Sequence, residues 1–197
     1  LTITIPSDST DTLHYIFWAT DDEGNVTSTT QTDVTVRDND KPVYGTDASD
    51  TSGTTGEEFD FSIDVSDNIG LIVVYVEFWW GNGPHSINIL SESSGTYTLT
   101  VDLRTDTDET FHYFFQAADT SGNWARSTTV DITITDNDKP SIDSDDTPSS
   151  GTTGESYTFS IDASDNVAMG NAYVLYWFGT GSMTNSTMLE DSGTYTY

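Results

Sequence analysis

The sequence predicts an all-β protein made of tandem two-sheet sandwiches, and three observations carry that prediction. The chain repeats itself: the pentapeptide DNDKP stands at Asp38–Pro42 and again at Asp136–Pro140, 98 residues further on. Apolar and polar residues alternate with a period of two along most of each repeat, which puts one face of a strand in a core and the other in water. No stretch shows a convincing helical period.

The repeat is a tandem duplication. Shifted by 98 residues, the chain aligns with itself without a gap, Leu1 on Leu99 and Leu99 on Tyr197, and nearly half of the paired positions are identical. SGTTGE recurs at Ser52–Glu57 and Ser150–Glu155, FSID-x-SDN at Phe61–Asn68 and Phe159–Asn166, and SGTYT at Ser94–Thr98 and Ser192–Thr196.

Within one repeat the pattern predicts strands near 43–48, 58–65, 71–80, 85–90, 96–103, 111–118 and 125–135. Phe59, Phe61, Ile63 and Val65 alternate with Glu58, Asp60, Ser62 and Asp64. Tyr97, Leu99, Val101 and Leu103 alternate with threonines and Asp102, and Val130, Ile132 and Ile134 alternate with Asp131, Thr133 and Thr135. The third and sixth strands are apolar on both faces. If Val74, Val76, Phe78 and Trp80 face the core with Tyr113, Phe115 and Ala117, then Tyr75, Trp79 and Phe114 form an aromatic stripe on the outer sheet. That stripe is either a lateral contact or is covered by the hairpin Gly81–Leu90.

About seven short strands per repeat, joined by turn-rich loops, is the pattern of an immunoglobulin-like sandwich. Trp79 and Trp177 fall on the third strand, where such folds often carry a tryptophan. Tyr15 and Tyr113 fall near the start of the sixth, where a tyrosine corner lies. Proline ends a strand ladder, so the boundary is placed at DNDKP. The expected domains are 1–39, the C-terminal half of a repeat; 40–137, a complete repeat; and 138–197, the N-terminal half of the next. A sandwich needs both sheets. Each half is therefore expected to be completed within a longer array or by copies of the chain joined head to tail.

Composition narrows the function. The chain carries 33 acids against 5 bases, a net charge of −28, which repels nucleic acid and anionic lipid. No apolar run is long enough to span a bilayer, so neither nucleic acid nor direct membrane insertion is expected. The absence of cysteine excludes disulfides, thiolate metal sites and cysteine nucleophiles. His14, His85 and His112 belong to no catalytic motif, and no enzyme is expected.

Aspartate outnumbers glutamate 25 to 8. Short carboxylates in Asn- and Gly-containing loops suit a hard divalent cation. At the joint formed by Asp38, Asn39 and Asp40, the neighbouring loops of stacked sandwiches would bring Asp11, Asp67, Asn68, Asp119 and Asn123. At Asp136, Asn137 and Asp138, the corresponding loops bring Asp165 and Asn166, with Asp21 and Asn25 supplied by a neighbouring unit. Calcium accepts six to eight oxygens in irregular geometry, whereas magnesium wants a strict octahedron and zinc a histidine or thiolate set. The bland alternative is that these are solvated turn formers.

The stretch Asp108-Glu109, Ala117-Ala118-Asp119 and Asp136-Asn137-Asp138-Lys139-Pro140 resembles the acidic signatures of cadherin repeats. So does Ala163-Ser164-Asp165-Asn166 followed by Asn171-Ala172-Tyr173. The chain is also similar to the Ig-like and cadherin-like tandem modules of large prokaryotic surface proteins, where A-x-D-x-x-G-N closes a similar loop. The resemblance implies that these acids, Glu109 among them, bind calcium and rigidify the joints of an extracellular or cell-surface protein. A structural filament or surface fibre is the expected function. The alternative is a spacer, or a carbohydrate-binding or adhesin module, of a larger secreted protein.

Overall fold

The computed structural model describes residues 1–197, which form strands and no helix. In chain order the strands are β1 (Leu13–Tyr15), β2 (Trp18–Thr20), β3 (Val26–Ser28), β4 (Thr32–Val34), β5 (Val43–Asp47), β6 (Gly53–Thr54) and β7 (Glu58–Ser66). There follow β8 (Leu71–Trp80), β9 (Ser86–Ile89), β10 (Ser91–Ser93), β11 (Thr96–Asp102), β12 (Phe111–Asp119), β13 (Trp124–Arg126) and β14 (Val130–Ile132). The last are β15 (Ile134–Thr135), β16 (Ser141–Asp145), β17 (Ser160–Ser164), β18 (Tyr173–Tyr176), β19 (Thr184–Thr187), β20 (Leu189–Asp191) and β21 (Thr194–Thr196). They belong to two compact units. One comprises Leu1–Thr51, Phe59–Val101 and Thr110–Ile132; the other comprises Ser52–Glu58, Asp102–Glu109 and Thr133–Tyr197.

The first unit holds a two-sheet sandwich. One sheet runs β10-β11-β7-β5, and the other runs β13-β12-β8-β9 with β14 also on β12. Of the strands expected in the repeat, the first, second and fifth (β5, β7, β11) make one sheet with the short β10, and the third and sixth (β8, β12) make the other with the pieces β13 and β14 of the seventh; the expected fourth strand, 85–90, is β9 and pairs with β8. That is the immunoglobulin-like arrangement, with β9 as an added edge. The expected alternation is realised. Phe59, Phe61, Ile63 and Val65 are buried, as are Val74, Val76 and Phe78 of β8 and Phe111, Tyr113, Phe115 and Ala117 of β12. The Phe61 ring lies 5.0 Å from Phe59, 5.2 Å from Tyr113, 5.6 Å from Phe78 and 6.3 Å from Phe115, centroid to centroid.

Trp79 lies on the outer face, as the expected stripe has it, and the inward place beside it belongs to Phe78. Other local expectations are corrected. Tyr113 makes no corner to upstream backbone; its hydroxyl donates to Asp47 Oδ2 at 3.0 Å. The seventh strand is broken into β13, β14 and β15. At the first break Phe115 N–H donates to Ser127 Oγ, which in turn donates to the Thr128 carbonyl, so a side chain takes the place of ladder bonds. The outer aromatic stripe is capped. The Arg126 guanidinium lies 3.5 Å over the Phe114 ring, which is buried, and His85 and His112 stack on Trp79 at 4.2 and 5.2 Å. Tyr75 stacks on Trp124.

Two tyrosines tie the sandwich together. Tyr44 of β5 donates to the carbonyls of Phe115 and Ala125 in the opposite sheet, at 3.2 and 3.1 Å. Burial pushes the Tyr44 and Tyr113 hydroxyls up to about 12. The folded state thus favours the neutral phenol. Its contribution is intact below the ordinary tyrosine value of about 10 and is lost as pH rises through the folded value. Circular dichroism is expected to show the sandwich unfolding across that alkaline window, with the loss reduced in a Tyr44→Phe, Tyr113→Phe double variant. An equally steep loss in the double variant would assign it to other groups.

The first unit also carries two antiparallel pairs, the hairpin β2–β3 and, on either side of it in sequence, β1 with β4. Here Tyr15, Phe17, Trp18 and Val34 are exposed.

In the second unit, β16-β17-β21-β20 form a sheet, β18 pairs with β19, and β6 runs parallel to β15. Ala163, Ala172, Met188 and Tyr195 form a small core, against which Phe159, Ile161, Met169 and Val174 pack. Beside it opens a cavity of about 850 Å³ whose aromatic walls are Tyr157, Phe159, Tyr176, Trp177, Phe178 and Tyr197.

Candidate metal centre

The loop Asp119–Asn123 joins β12 to β13 and is shaped by its own side chains. Asp119 Oδ1 accepts the Ser121 and Asn123 backbone N–H groups at 2.9 and 2.8 Å, and Oδ2 accepts Asn123 Nδ2 at 2.7 Å. Gly122 closes the turn at φ 92, a conformation that penalises a side chain. Asp119 is only 1% exposed. Burial alone pushes its carboxyl up, but the hydrogen bonds from Asn123, Ser121 and Gly122 outweigh it and hold the group below the usual aspartate value. It is a buried carboxylate that stays ionised.

The turn after β7 is built the same way. Asp67 Oδ1 accepts the backbone N–H groups of Ile69 and Gly70 at 3.0 and 2.9 Å. In the linker, Asp38 Oδ1 accepts Asp40 N–H at 3.1 Å and Asn68 Nδ2 at 3.3 Å. Asn68 Nδ2 also donates to the Ser7 carbonyl at 2.6 Å, and Asn123 Nδ2 to the Asp38 carbonyl at 3.4 Å.

These three turns bring one carboxylate oxygen each from Asp38, Asp67 and Asp119 within 4.8 Å of one another. Two ligands on opposite sides of one calcium ion, at about 2.4 Å each, stand about 4.8 Å apart. Three anions at that spacing repel. Moreover, Asp38 Oδ2 and Asp67 Oδ2 are buried and have no hydrogen-bond partner. An orphaned, desolvated carboxylate oxygen is costly unless something positive meets it. The donor set is all oxygen, and it fits a hard cation.

Not every residue singled out in the sequence joins this group. Asn68 and Asn123 turn their amide N–H groups, rather than their oxygens, to the neighbouring acceptors. Asn39 and Asp40 are exposed, and Asp40 contributes its backbone N–H. Asp11 is exposed and hydrogen-bonds to Ser9 Oγ through its backbone. No side-chain signal in the sequence points to the Ser7 carbonyl, because a backbone acceptor leaves no residue type to read.

The second unit repeats the half of this pattern that it holds. Asn166 Nδ2 donates to the Thr105 carbonyl at 2.7 Å and to Asp136 Oδ1 at 3.3 Å, and Asp165 Oδ1 accepts Val167 and Ala168 N–H. Asp136 Oδ1 also accepts Asp138 N–H at 3.1 Å and the Thr55 hydroxyl at 3.0 Å. The Asp138 N–H leads the interactions that keep the Asp136 carboxyl below its ordinary value. Asn137, Asp138 and Glu109 are exposed. In the first unit, the loop Asp21–Asn25 repeats the bonds of Asp119–Asn123: Asp21 Oδ1 accepts Asn25 N–H, and Oδ2 accepts Asn25 Nδ2, both at 2.7 Å.

Fold and site together define an immunoglobulin-like β-sandwich protein with an acidic oxygen cluster where the Asp38 linker meets two loops of the complete repeat. No family model matches the chain, and no curated protein matches it. Among solved structures, it is similar to the titin domains Z1Z2 in complex with telethonin, at 15% identity and a TM-score of 0.37 over 79% of each chain. It is similar to a tetra-tandem repeat in the extending region of a large adhesion protein, at 18% identity and a TM-score of 0.36, over 94% of this chain and 47% of that one. Chicken CNTN1 FN1-FN3 domains match at 13% identity and a TM-score of 0.36, over 93% of this chain and 66% of that one.

Proposed function

We propose that the chain is part of an extracellular filament or surface fibre of tandem immunoglobulin-like domains whose joints are stiffened by calcium. The observation that carries this reading is the pair of buried, partnerless oxygens, Asp38 Oδ2 and Asp67 Oδ2, beside Asp119. A cation there converts mutual repulsion into a clamp between the linker and two loops of the complete repeat. Extracellular calcium modules bind with dissociation constants of about 10⁻⁴–10⁻³ M, so such a site fills where calcium is millimolar. Asp136 and Asp165 are the corresponding ligands of the next joint, with Asp21 of a neighbouring unit in the place that Asp119 holds; Asn166 and Asn25 support these carboxylates through their amide N–H groups, as Asn68 and Asn123 do at the first. A net charge of −28 keeps successive units apart and the array extended.

Calorimetric titration of the chain with calcium tests this. Binding in that range is expected, and it should disappear in an Asp38→Asn, Asp67→Asn variant. At a hundredfold excess over the dissociation constant, calcium should add about 2.7 kcal/mol to stability. A melting curve indifferent to both calcium and chelator would sink the reading.

A further inference from the structure

We propose that the outer face of the β13-β12-β8-β9 sheet is a lateral contact surface, on which the same face of a second copy of the chain packs. The inference goes beyond the metal reading and does not depend on it.

The two sheets of the complete repeat present opposite kinds of surface. On β7 the outward residues are Glu58, Asp60, Ser62 and Asp64, which water solvates. On the other sheet the outward residues are largely apolar. Register sets Glu77 beside Phe114 of β12 and Ile87 of β9, and Tyr75 beside Gln116 and Ile89. Tyr75, Trp79, Ile87, Ile89 and Phe114 therefore share one side, and Trp124 of β13, stacked on Tyr75, extends it. Ile87 is 60% exposed, Ile89 63% and Trp124 49%. The arginine and histidine caps cover the middle of the stripe and leave its flanks in water. Both sheets of this sandwich are present, so the exposure belongs to its outside and not to an unfilled core. A contiguous apolar face of this kind marks a contact surface.

Charge and period identify the occupant. The chain carries 33 acids against 5 bases, so two copies repel over most of their surfaces. On this face the acids are Glu77 and Asp131, and both are already met. Glu77 Oε1 lies 2.6 Å from His85 Nδ1, its Oε2 accepts Gln116 Nε2 at 3.0 Å, and Asp131 Oδ1 lies 2.7 Å from His112 Nδ1. Arg126 adds a positive charge beside them. Here one copy can approach another without setting bare acid against bare acid.

The apolar character also recurs at the 98-residue interval although the residues change. Tyr173, Leu175 and Trp177 stand for Tyr75, Glu77 and Trp79, and Ile16 and Trp18 stand for Phe114 and Gln116. The outward positions of β7 remain polar at the same interval, as Ser156, Thr158, Ser160 and Asp162. An apolar face that returns once per repeat is matched in period by another copy lying alongside. Four strands about 4.8 Å apart, over six residue steps of about 3.3 Å, give a flat footprint of roughly 400 Å². That is small against the roughly 800 Å² each partner buries in a standard complex. A single repeat therefore pairs weakly, and repeats in register strengthen one another.

Sedimentation equilibrium and amide NMR on the whole 197-residue chain, at concentrations up to about 1 mM, test this. The mass should rise with concentration, and the amide shifts that move should lie on β8, β9, β12 and β13 rather than on β7 and β11. Pairing should strengthen as salt rises to about 0.15 M, because screening removes the repulsion between acidic copies. Ile87→Asp with Ile89→Asp should weaken it roughly tenfold or more, with circular dichroism unchanged because both side chains are exposed. Trp124→Ser, on the far side of the sheet, should weaken it independently. Ile72→Asp, at an exposed position on the other side of β8, should pair like the wild type.

The measurement is made in calcium and in chelator, and pairing is expected in both. Pairing that needs calcium would move the contact to the acidic cluster and overturn the proposal. A chain that stays single at every concentration overturns it too. Loss in the isoleucine variant with none in Trp124→Ser would make the contact an edge pairing of β9, not a face. Shifts on this sheet with cellohexaose as a neutral-sugar probe, but none with concentration, would make it a sugar platform and overturn the pairing.

Discussion

Replacing Phe61 by Ala should lower the stability of the central sandwich by about 3–5 kcal/mol, the range for a buried phenylalanine truncated in a well-packed core. Phe61 is fully buried and lies within aromatic contact distance of Phe59, Phe78, Phe111, Tyr113 and Phe115. Each such pair adds about 0.5–1.5 kcal/mol beyond the area it buries. A small domain has only about 5–15 kcal/mol in total, so the loss should take a large share of its stability. The urea midpoint measures it, with the slope of the transition as a check on two-state behaviour. Phe17→Ala, an exposed ring one repeat away from Phe115, should leave the midpoint of the single chain almost unmoved. A loss below about 1 kcal/mol for Phe61→Ala would mean a core that is loosely packed.

The second large effect changes sign with calcium. Asp67→Asn keeps the Oδ1 acceptor that receives the Ile69 and Gly70 N–H groups, so its turn should survive. In chelator the substitution removes one of three crowded carboxylates and should raise the melting temperature, because like charges about 4 Å apart repel even in water. In saturating calcium it removes a ligand and should forfeit most of the roughly 2.7 kcal/mol that binding adds at a hundredfold excess. The two melting curves should therefore cross in order, variant above wild type without calcium and below it with calcium. The same displacement in both buffers would show that Asp67 acts only as a turn former.

Much of the fold was legible because its signals are local. Period-two alternation marked β7, β8, β11 and β12 to within a residue or two at each end, and the tandem repeat gave the interval. What stayed illegible depends on groups that leave no pattern. The break between β13 and β14 follows from Ser127 bonding to backbone across the sheet, and beyond it β15 leaves β12 for a short parallel pair with β6 that contains only two residues per strand. The outer stripe read correctly as aromatic, but its caps, Arg126 on Phe114 and His85 on Trp79, come from other strands and loops.

Two pairs of equivalent residues separate what the chain writes locally from what tertiary structure decides. Asp21 and Asp119 lie in the same D-x-x-G-N loop, and both bind the backbone and side chain of the asparagine four residues on. That geometry is fixed by the sequence alone, since donor and acceptor sit within one turn and the glycine supplies its left-handed residue. Only Asp119 is buried beside Asp38 and Asp67, because only there do the linker and the turn after β7 converge. Likewise Phe17 and Phe115 are the same residue at the same place in the repeat, yet Phe17, between β1 and β2, is exposed and Phe115, on β12, lies in the core. The strand pattern chooses which face a phenylalanine occupies. Whether that face loses its water depends on an opposite sheet, with Phe61 across from Phe115, and hydrophobic stabilisation exists only where both surfaces meet.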